Sequence, residues 1–179
     1  MRLEPRPRWR SDRVELFLLQ PEHVGPAYVG WLNDPEVNRF LESRFAVHDE
    51  DGTRAFVASV LASDHSVILG IRSPALGRQH VGNIKLGPVD HRHGLGDVGI
   101  LLGEKAAWGR GLASAAIAQL SDIAHEELGL RKLSAGCYAS NGGSLRAFEK
   151  AGFALEGRRP QHFLLDGHPE DLLLLGRIL

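Results

Sequence analysis

Two glycines bracket an arginine in the stretch WGRGLA, residues 108–113, just where an apolar segment at residues 97–102 gives way to an alanine-rich run. Glycines at a strand-to-helix junction leave consecutive backbone N–H groups unobstructed, and at the positive end of a helix such groups suit an anion. The donors fall between Ala107 and Ala113, and Arg110 between the glycines can add a charge-assisted contact to a phosphate. A tight turn holding no ligand accounts for the same six residues equally well. The dinucleotide fingerprint fits poorly: Ser114 stands where its third glycine belongs, and the motif follows several strands instead of opening a βαβ unit. A Walker loop is excluded, because Leu112 follows Gly111 where a lysine is required.

Groups able to move protons are scattered along the chain. His91 and His93 flank Arg92, and an ordinary imidazole pKa of about 6.5 suits a base at neutral pH, although a solvated loop is the plainer account. No carboxylate or histidine stands at motif spacing from this pair, so no metal is expected. Asn83 and Lys85 alternate with Ile84 and Leu86 and share one strand face, where they meet either an acceptor or solvent. Glu42 ends the segment LNDPEVNRFLE as a helix-surface carboxylate or an acceptor contact. Cys137 alternates with Leu133 and Ala135, the pattern of a buried small residue rather than a nucleophile.

The elements that must position these groups follow from hydrophobic period. Residues 14–19 (VELFLL) form a first strand that stops at Pro21. Val24, Ala27, Tyr28, Trp31 and Leu32 make a helical stripe, and Asp34 with Pro35 caps a short second helix running to about Leu41. Phe56, Val57, Val60 and Leu61 mark a third helix within residues 50–63. Three strands follow at 66–71, 79–89 and 97–102, with connections too short for parallel crossovers. After the glycine motif, Ala113, Ile117, Leu120, Ala124 and Leu128 define an amphipathic helix with Ser114, Ser121, Asp122 and His125 opposite, closed by Gly129. A strand at 132–138, a helix at 143–151 and a hairpin of 154–165 with 171–179 around residues 166–169 complete the chain.

Composition narrows the partners. At 179 residues the chain fits one domain, residues 1–179, and a net charge of -1 gives no electrostatic case for nucleic acid or an anionic membrane. A single cysteine rules out an intramolecular disulfide and suits a reducing cytoplasm. The basic start MRLEPRPRWR is followed by no apolar stretch of signal-peptide length, and no run approaches the roughly 18 apolar residues of a membrane span. A cytoplasmic protein without membrane partners is therefore expected.

The strand DVGILLG, the turn WGRGLA, its helix, a further strand and then NGGSLRAFEKAGF resemble the GNAT acyltransferase superfamily over nearly the whole chain. The resemblance implies an α/β (α+β) fold: a mixed, mostly antiparallel sheet of about seven strands, splayed at its centre, with helices on both faces. It also implies acetyl-CoA as acyl donor. Leu101, Leu102 and Gly103 would line the pantetheine, Trp108, Gly109, Arg110, Gly111, Leu112 and Ala113 would cradle the pyrophosphate, and Asn141 and Ser144 would touch the far end of the cofactor. Ala106 stands where the family often has Gln or Arg, so the cradle relies on backbone. GWLNDPEVNRFLESR and VGNIKLGPVDHRHGLGDVGILLG are similar to the branch of ribosomal-protein N-terminal, polyamine and amino-sugar acetyltransferases, most closely the last.

The same resemblance implies roles in transfer to an amine. Asp97 opens the strand where related proteins carry an acidic residue facing the acceptor cleft, while a strand-end residue satisfied by backbone amides has the same appearance. With His93 it is a candidate base. Trp31 falls in the region forming an acceptor wall in relatives, although its helical spacing equally fits core packing. With Glu42, Asn83 and Lys85 it completes the candidate acceptor contacts. The family's thiolate-protonating tyrosine is replaced by Phe148, which leaves Ser144 as the nearest hydroxyl by motif. Keeping a lysine-like amine of pKa about 10.4 neutral at pH 7 costs roughly 4 to 5 kcal/mol, against about 1 to 1.5 for an amine near 7.7 to 8.0. A small primary amine, preferably an amino sugar, nucleotide-linked or not, is the expected acceptor. A protein N-terminus or a polyamine follows, and a non-catalytic acyl-CoA-binding domain is the rival of another class. Near-neutral charge weighs against a polyamine specialist, and dimerisation through the C-terminal hairpin is expected by analogy.

Overall fold

The computed structural model of the chain describes residue 3, residues 9–77 and residues 79–179; most of the basic N-terminal stretch, and Arg78, lie outside them. Seven strands build one sheet: β1 (Glu15–Leu18), β2 (Val67–Ser73), β3 (Gln79–Asp90), β4 (Leu95–Leu102), β5 (Lys132–Tyr138), β6 (Ala154–Leu165) and β7 (His168–Ile178). Their spatial order is β1-β2-β3-β4-β5-β7-β6, and every neighbouring pair is antiparallel except β4 with β5. This is the mixed, mostly antiparallel sheet that the resemblance implied.

Period-two alternation feeds two cores, one on each face. Val67 and Leu69 of β2, Ile84 and Leu86 of β3, and Leu133, Ala135 and Cys137 of β5 pack with α4 (Leu112–Leu128) and α5 (Gly142–Lys150). Phe17 and Ile68 point the other way, into a cluster with Tyr28 and Trp31 of α1 (Pro26–Asn33) and Val57 and Val60 of α3 (Glu50–Leu61). Gly129 caps α4 in the left-handed conformation at φ 64°. Among the described residues, no helix is long and apolar enough to cross a membrane.

Local chemistry explains where the structure departs from the sequence reading. Asp34 caps α2 (Pro35–Asn38) as expected, its Oδ1 accepting from Glu36 N at 2.9 Å. The helix stops at Asn38 instead of Leu41 as the buried Asn38 amide donates back to the Leu32 carbonyl at 2.7 Å, and a 3-10 turn at Glu42–Phe45 follows. In α3, Phe56 is exposed and Thr53 takes the buried position, its hydroxyl bonding the Asp49 carbonyl. Ser121, expected on the polar face of α4, is buried and satisfies its hydroxyl on the Ile117 carbonyl at 2.8 Å. The C-terminal turn needs only Asp166 and Gly167, both at positive φ, so Pro169 belongs to β7.

Candidate active site

The site originates in an interrupted ladder. β4 and β5 pair only from Leu95–Asp97 against Lys132–Ser134, and beyond Asp97 the two strands separate. On its other edge β4 stays paired with β3 up to Leu102, and Gly103 N donates to Val81 O at 3.0 Å. Alternation in an antiparallel ladder then turns the N–H and C=O groups of Leu101 toward β3 and those of Ile100 and Leu102 into the gap. A cavity of about 670 Å³ fills this gap, walled by residues 98–102 of β4, 136–138 of β5 and the Ser144, Ala147 and Phe148 side of α5.

One end of the cavity is the glycine turn. Gly109 and Gly111 have φ of 72° and 74°, a left-handed conformation that disfavours any side chain. Gly111 is the N-cap of α4, so the first-turn N–H groups of Leu112, Ala113 and Ser114 have no intrahelical acceptors. Gly109 and Ala113 line the cavity, and a Cβ on Gly109 would meet open space. Arg110 does not project into it: its Nε donates back to the Ala106 carbonyl at 2.7 Å. A different cation, Arg13, lies beside the turn. The exposed Arg13, from the segment before β1, reaches the Arg110 carbonyl at 3.5 Å and lies 3.1 Å from where a Cβ on Gly111 would be. Trp108 lines the cavity, with its indole N–H on the Leu102 carbonyl at 2.8 Å. Asn141 caps α5 by accepting from Ser144 N at 3.1 Å, and both line the cavity.

The other end is aromatic and acidic. Phe40, Glu42, Tyr138 and Phe163 line it. The Tyr138 hydroxyl donates to Glu42 Oε1, its ring stacks on Phe163 at 4.6 Å and 19°, and Arg44 lies 5.4 Å from the ring centre. Burial, together with the hydrogen bond to the Glu42 carboxylate, pushes the Tyr138 phenol above its ordinary pKa. Sequence reading missed Tyr138, although the alternation that buries Cys137 already turns its neighbour to the opposite face. Glu36 also lines the cavity, but Lys105 binds it at 2.6 Å and Asp34 at 2.8 Å, tying α2 to the turn before α4.

Of the expected site residues, Leu101, Leu102, Trp108, Gly109, Ala113, Asn141, Ser144 and Glu42 line the cavity, while Gly111 and Leu112 belong to its turn. Others lie elsewhere, each for a visible reason. Asp97 is exposed at the last paired position of β4, where it accepts from the Ser134 hydroxyl at 2.6 Å. His93 is exposed in the β3–β4 turn, and its carbonyl receives Arg131 Nε at 2.7 Å. Trp31 packs in the second core against Gly103, where a Cβ would come within 2.0 Å of the indole; this contact accounts for that glycine. Asn83, 4% exposed, turns its Oδ1 to His80 Nε2 at 2.8 Å. Lys85 bonds the Gly87 carbonyl at 3.0 Å. Phe148 is buried on the cavity wall, edge-on to Phe153.

Comparison with known proteins identifies the family and the fold. Residues 13–154 match the family model described as an acetyltransferase (GNAT) domain. A probable N-acetyltransferase of Bacillus subtilis, YjcK, is 38% identical over 68 residues, a match spanning 38% of this chain and only 38% of that relative. The spermidine N-acetyltransferase from Vibrio cholerae, solved with CoA and spermine, superposes with a TM-score of 0.83 at 15% identity, covering 94% of this chain and 96% of that one. The ribosomal L7/L12 alpha-N-protein acetyltransferase RimL, solved with coenzyme A, superposes at 0.81 with 20% identity and the same coverage.

Proposed function

The chain belongs to the GNAT acetyltransferase family, and on that premise we propose that it moves acetyl from acetyl-CoA directly to the primary amine of a small molecule, with no covalent enzyme intermediate. The observation that carries this reading is one cavity running along the gap edge of β4 from Gly109 and Ala113 to the Glu42 carboxylate. In this reading the N–H groups at the start of α4 hold the pyrophosphate, and Leu101 and Leu102 line the pantetheine, with Gly103 packed against Trp31 instead. The Leu102 N–H polarises the thioester carbonyl as a fixed donor. Asn141 and Ser144 flank the cofactor from α5. Ser144 sits one helical turn before Phe148 on the same face, and its hydroxyl carries a proton toward the leaving sulfur, which the Phe148 ring cannot do. Two cores sharing one sheet support a single working domain across the chain.

The preferred acceptor is an amino sugar, nucleotide-linked or not. Phe40 and Phe163 offer apolar faces to a sugar ring, and Glu42 offers a carboxylate to its amine. A polyamine would need several free carboxylates, whereas Glu36 is engaged by Lys105, which leaves Glu42 alone among the carboxylates lining the cavity. Exposed Leu155, Leu164 and Ile178 on the β6–β7 hairpin support self-association through that hairpin. Calorimetry with CoA, alongside a thiol-release assay offering D-glucosamine, spermidine and a peptide N-terminal amine, tests the proposal. CoA binds and glucosamine is turned over fastest; preference for either other amine would reassign the acceptor, and absence of CoA binding would overturn the reading altogether.

A further inference from the structure

We infer that Glu42 is the base that deprotonates the acceptor amine and that Tyr138 is the positioning residue that holds its carboxylate at the cavity wall, an inference that rests on the acetyl-transfer reading above. Neither Asp97 on β4 nor His93 in the loop before it, the candidate bases by sequence, lines the cavity. Of the two carboxylates that do, Glu36 is neutralised by Lys105 at 2.6 Å. Glu42 is different. Both of its protein contacts, from the Tyr138 hydroxyl and from Arg44 Nη1 at 3.5 Å, fall on Oε1, and Oε2 engages none of the described residues. Its side chain is 58% exposed, so an incoming ammonium reaches Oε2 without burying an unpaired charge.

The surroundings fix this carboxylate from three directions. Tyr138 ends β5 and cannot swing, because its ring is buried and stacked on Phe163 of β6. Arg44 donates to the Leu41 and Leu164 carbonyls at 2.8 and 2.9 Å, which pins the turn carrying Glu42 to the far hairpin. The aromatic faces of Phe40, Tyr138 and Phe163 around the carboxylate favour a cation at this end. The phenol of Tyr138, held above its ordinary pKa by burial and by Glu42, stays protonated and keeps donating at neutral pH.

The proton balance closes without a dedicated acid. The ammonium R–NH3+ gives one proton to Glu42 Oε2, and the freed lone pair attacks the acetyl carbon to form the N–C bond. The C–S bond breaks as the tetrahedral intermediate collapses. A second proton, now acidic on the positively charged –NH2+– nitrogen of the adduct, passes to the departing sulfur directly or through the Ser144 hydroxyl. Glu42 then releases its proton to solvent, leaving amide and CoA–SH. This arrangement gives an account of how the chain works with Phe148 in place of a phenol.

A comparison of nucleophiles tests the inference. Thiol release from acetyl-CoA is measured for wild type, Glu42→Gln and Tyr138→Phe with the best of D-glucosamine, spermidine and a peptide N-terminal amine. The same variants are assayed with hydroxylamine, which is already uncharged at neutral pH and needs no base. Glu42→Gln lowers kcat for the ammonium acceptor about 100-fold, while hydroxylamine turnover and CoA affinity stay within a few-fold of wild type. Tyr138→Phe follows the same pattern with about a tenfold loss in kcat and little change in KM. Equal losses toward both nucleophiles, or no loss at all, would overturn the assignment. A wild-type protein that binds CoA yet acetylates none of the amines would instead bring down the acceptor reading and this inference with it.

Discussion

The indole N–H of Trp108 donates to the Leu102 carbonyl at 2.8 Å, bridging the turn before α4 to the end of β4. That carbonyl faces the gap between β4 and β5, on the edge where an extended cofactor arm would pair with the strand. Trp9 and Trp31 are buried, and Trp108 is 38% exposed on the cavity wall. Titration with CoA should therefore change tryptophan emission in the wild type and leave the Trp108→Phe variant unchanged. An undiminished signal in the variant would mean that the cofactor is sensed elsewhere.

Gly103 carries a packing constraint rather than a conformational one. A Cβ there would lie 2.0 Å from Cδ2 of Trp31 and 2.5 Å from Cε3, atoms of a rigid ring held in the second core. Gly103→Ala is expected to destabilise the fold by about 1 to 3 kcal/mol, the usual cost of overpacking. Denaturant unfolding measures it, and a wild-type midpoint would show that the indole has room to retreat.

Arg13 stands beside the glycine turn although it comes from the segment preceding β1. An exposed cation near a bound phosphate contributes about 1 kcal/mol, or about fivefold in Kd. Arg13→Ala should weaken CoA by that factor at low salt and converge with wild type as salt rises, because screening removes the same term. Comparing CoA with its 3′-dephospho form in both proteins identifies the phosphate involved. Unchanged affinity at low salt would separate Arg13 from the site.

The Lys105 clamp makes stability depend on acid. The hydrogen bond from Lys105 is the leading reason the Asp34 carboxyl is held below its ordinary pKa, followed by the backbone N–H of Glu36. A depressed carboxyl pKa stabilises the fold above the unfolded-state value, and the contribution disappears as pH falls through the folded-state value. Lys105→Met should therefore unfold at a lower temperature than wild type near neutrality, with the difference shrinking as the medium is acidified below about pH 4. A gap that stays constant with pH would mean that Lys105 acts by packing alone.

Much of this molecule is legible from short stretches of chain. Gly109 and Gly111, spaced around Arg110 ahead of an alanine-rich helix, announce a left-handed turn at a helix start, because positive φ is a property of single residues. Asp34 before Pro35 announces a cap, and Leu133, Ala135 and Cys137 announce a buried strand face; each appears in the structure as read. The family likeness rests on the same local signals taken in order: strand, turn, helix, a further strand and then NGGSLRAFEKAGF.

What the tertiary structure decided is which distant side chains meet. Glu42, Tyr138 and Phe163 lie on three elements far apart in the chain, and they converge because β5 is flanked by β7 on one edge and separates from β4 on the other. Strand order and the point where a ladder opens depend on packing over the whole sheet, and no window of a dozen residues encodes them. The fate of Asp97 turns on the same point. Its position on β4 matched the expected base, yet the last three-residue pairing with β5 leaves it beside Ser134 and outside the cavity. Residue type and spacing by themselves determined most of the elements, the glycine turn at the start of α4 and the chemistry to look for. That Glu42 lines the cavity was decided by the divergence of two strands, because only that divergence opens a space beside it.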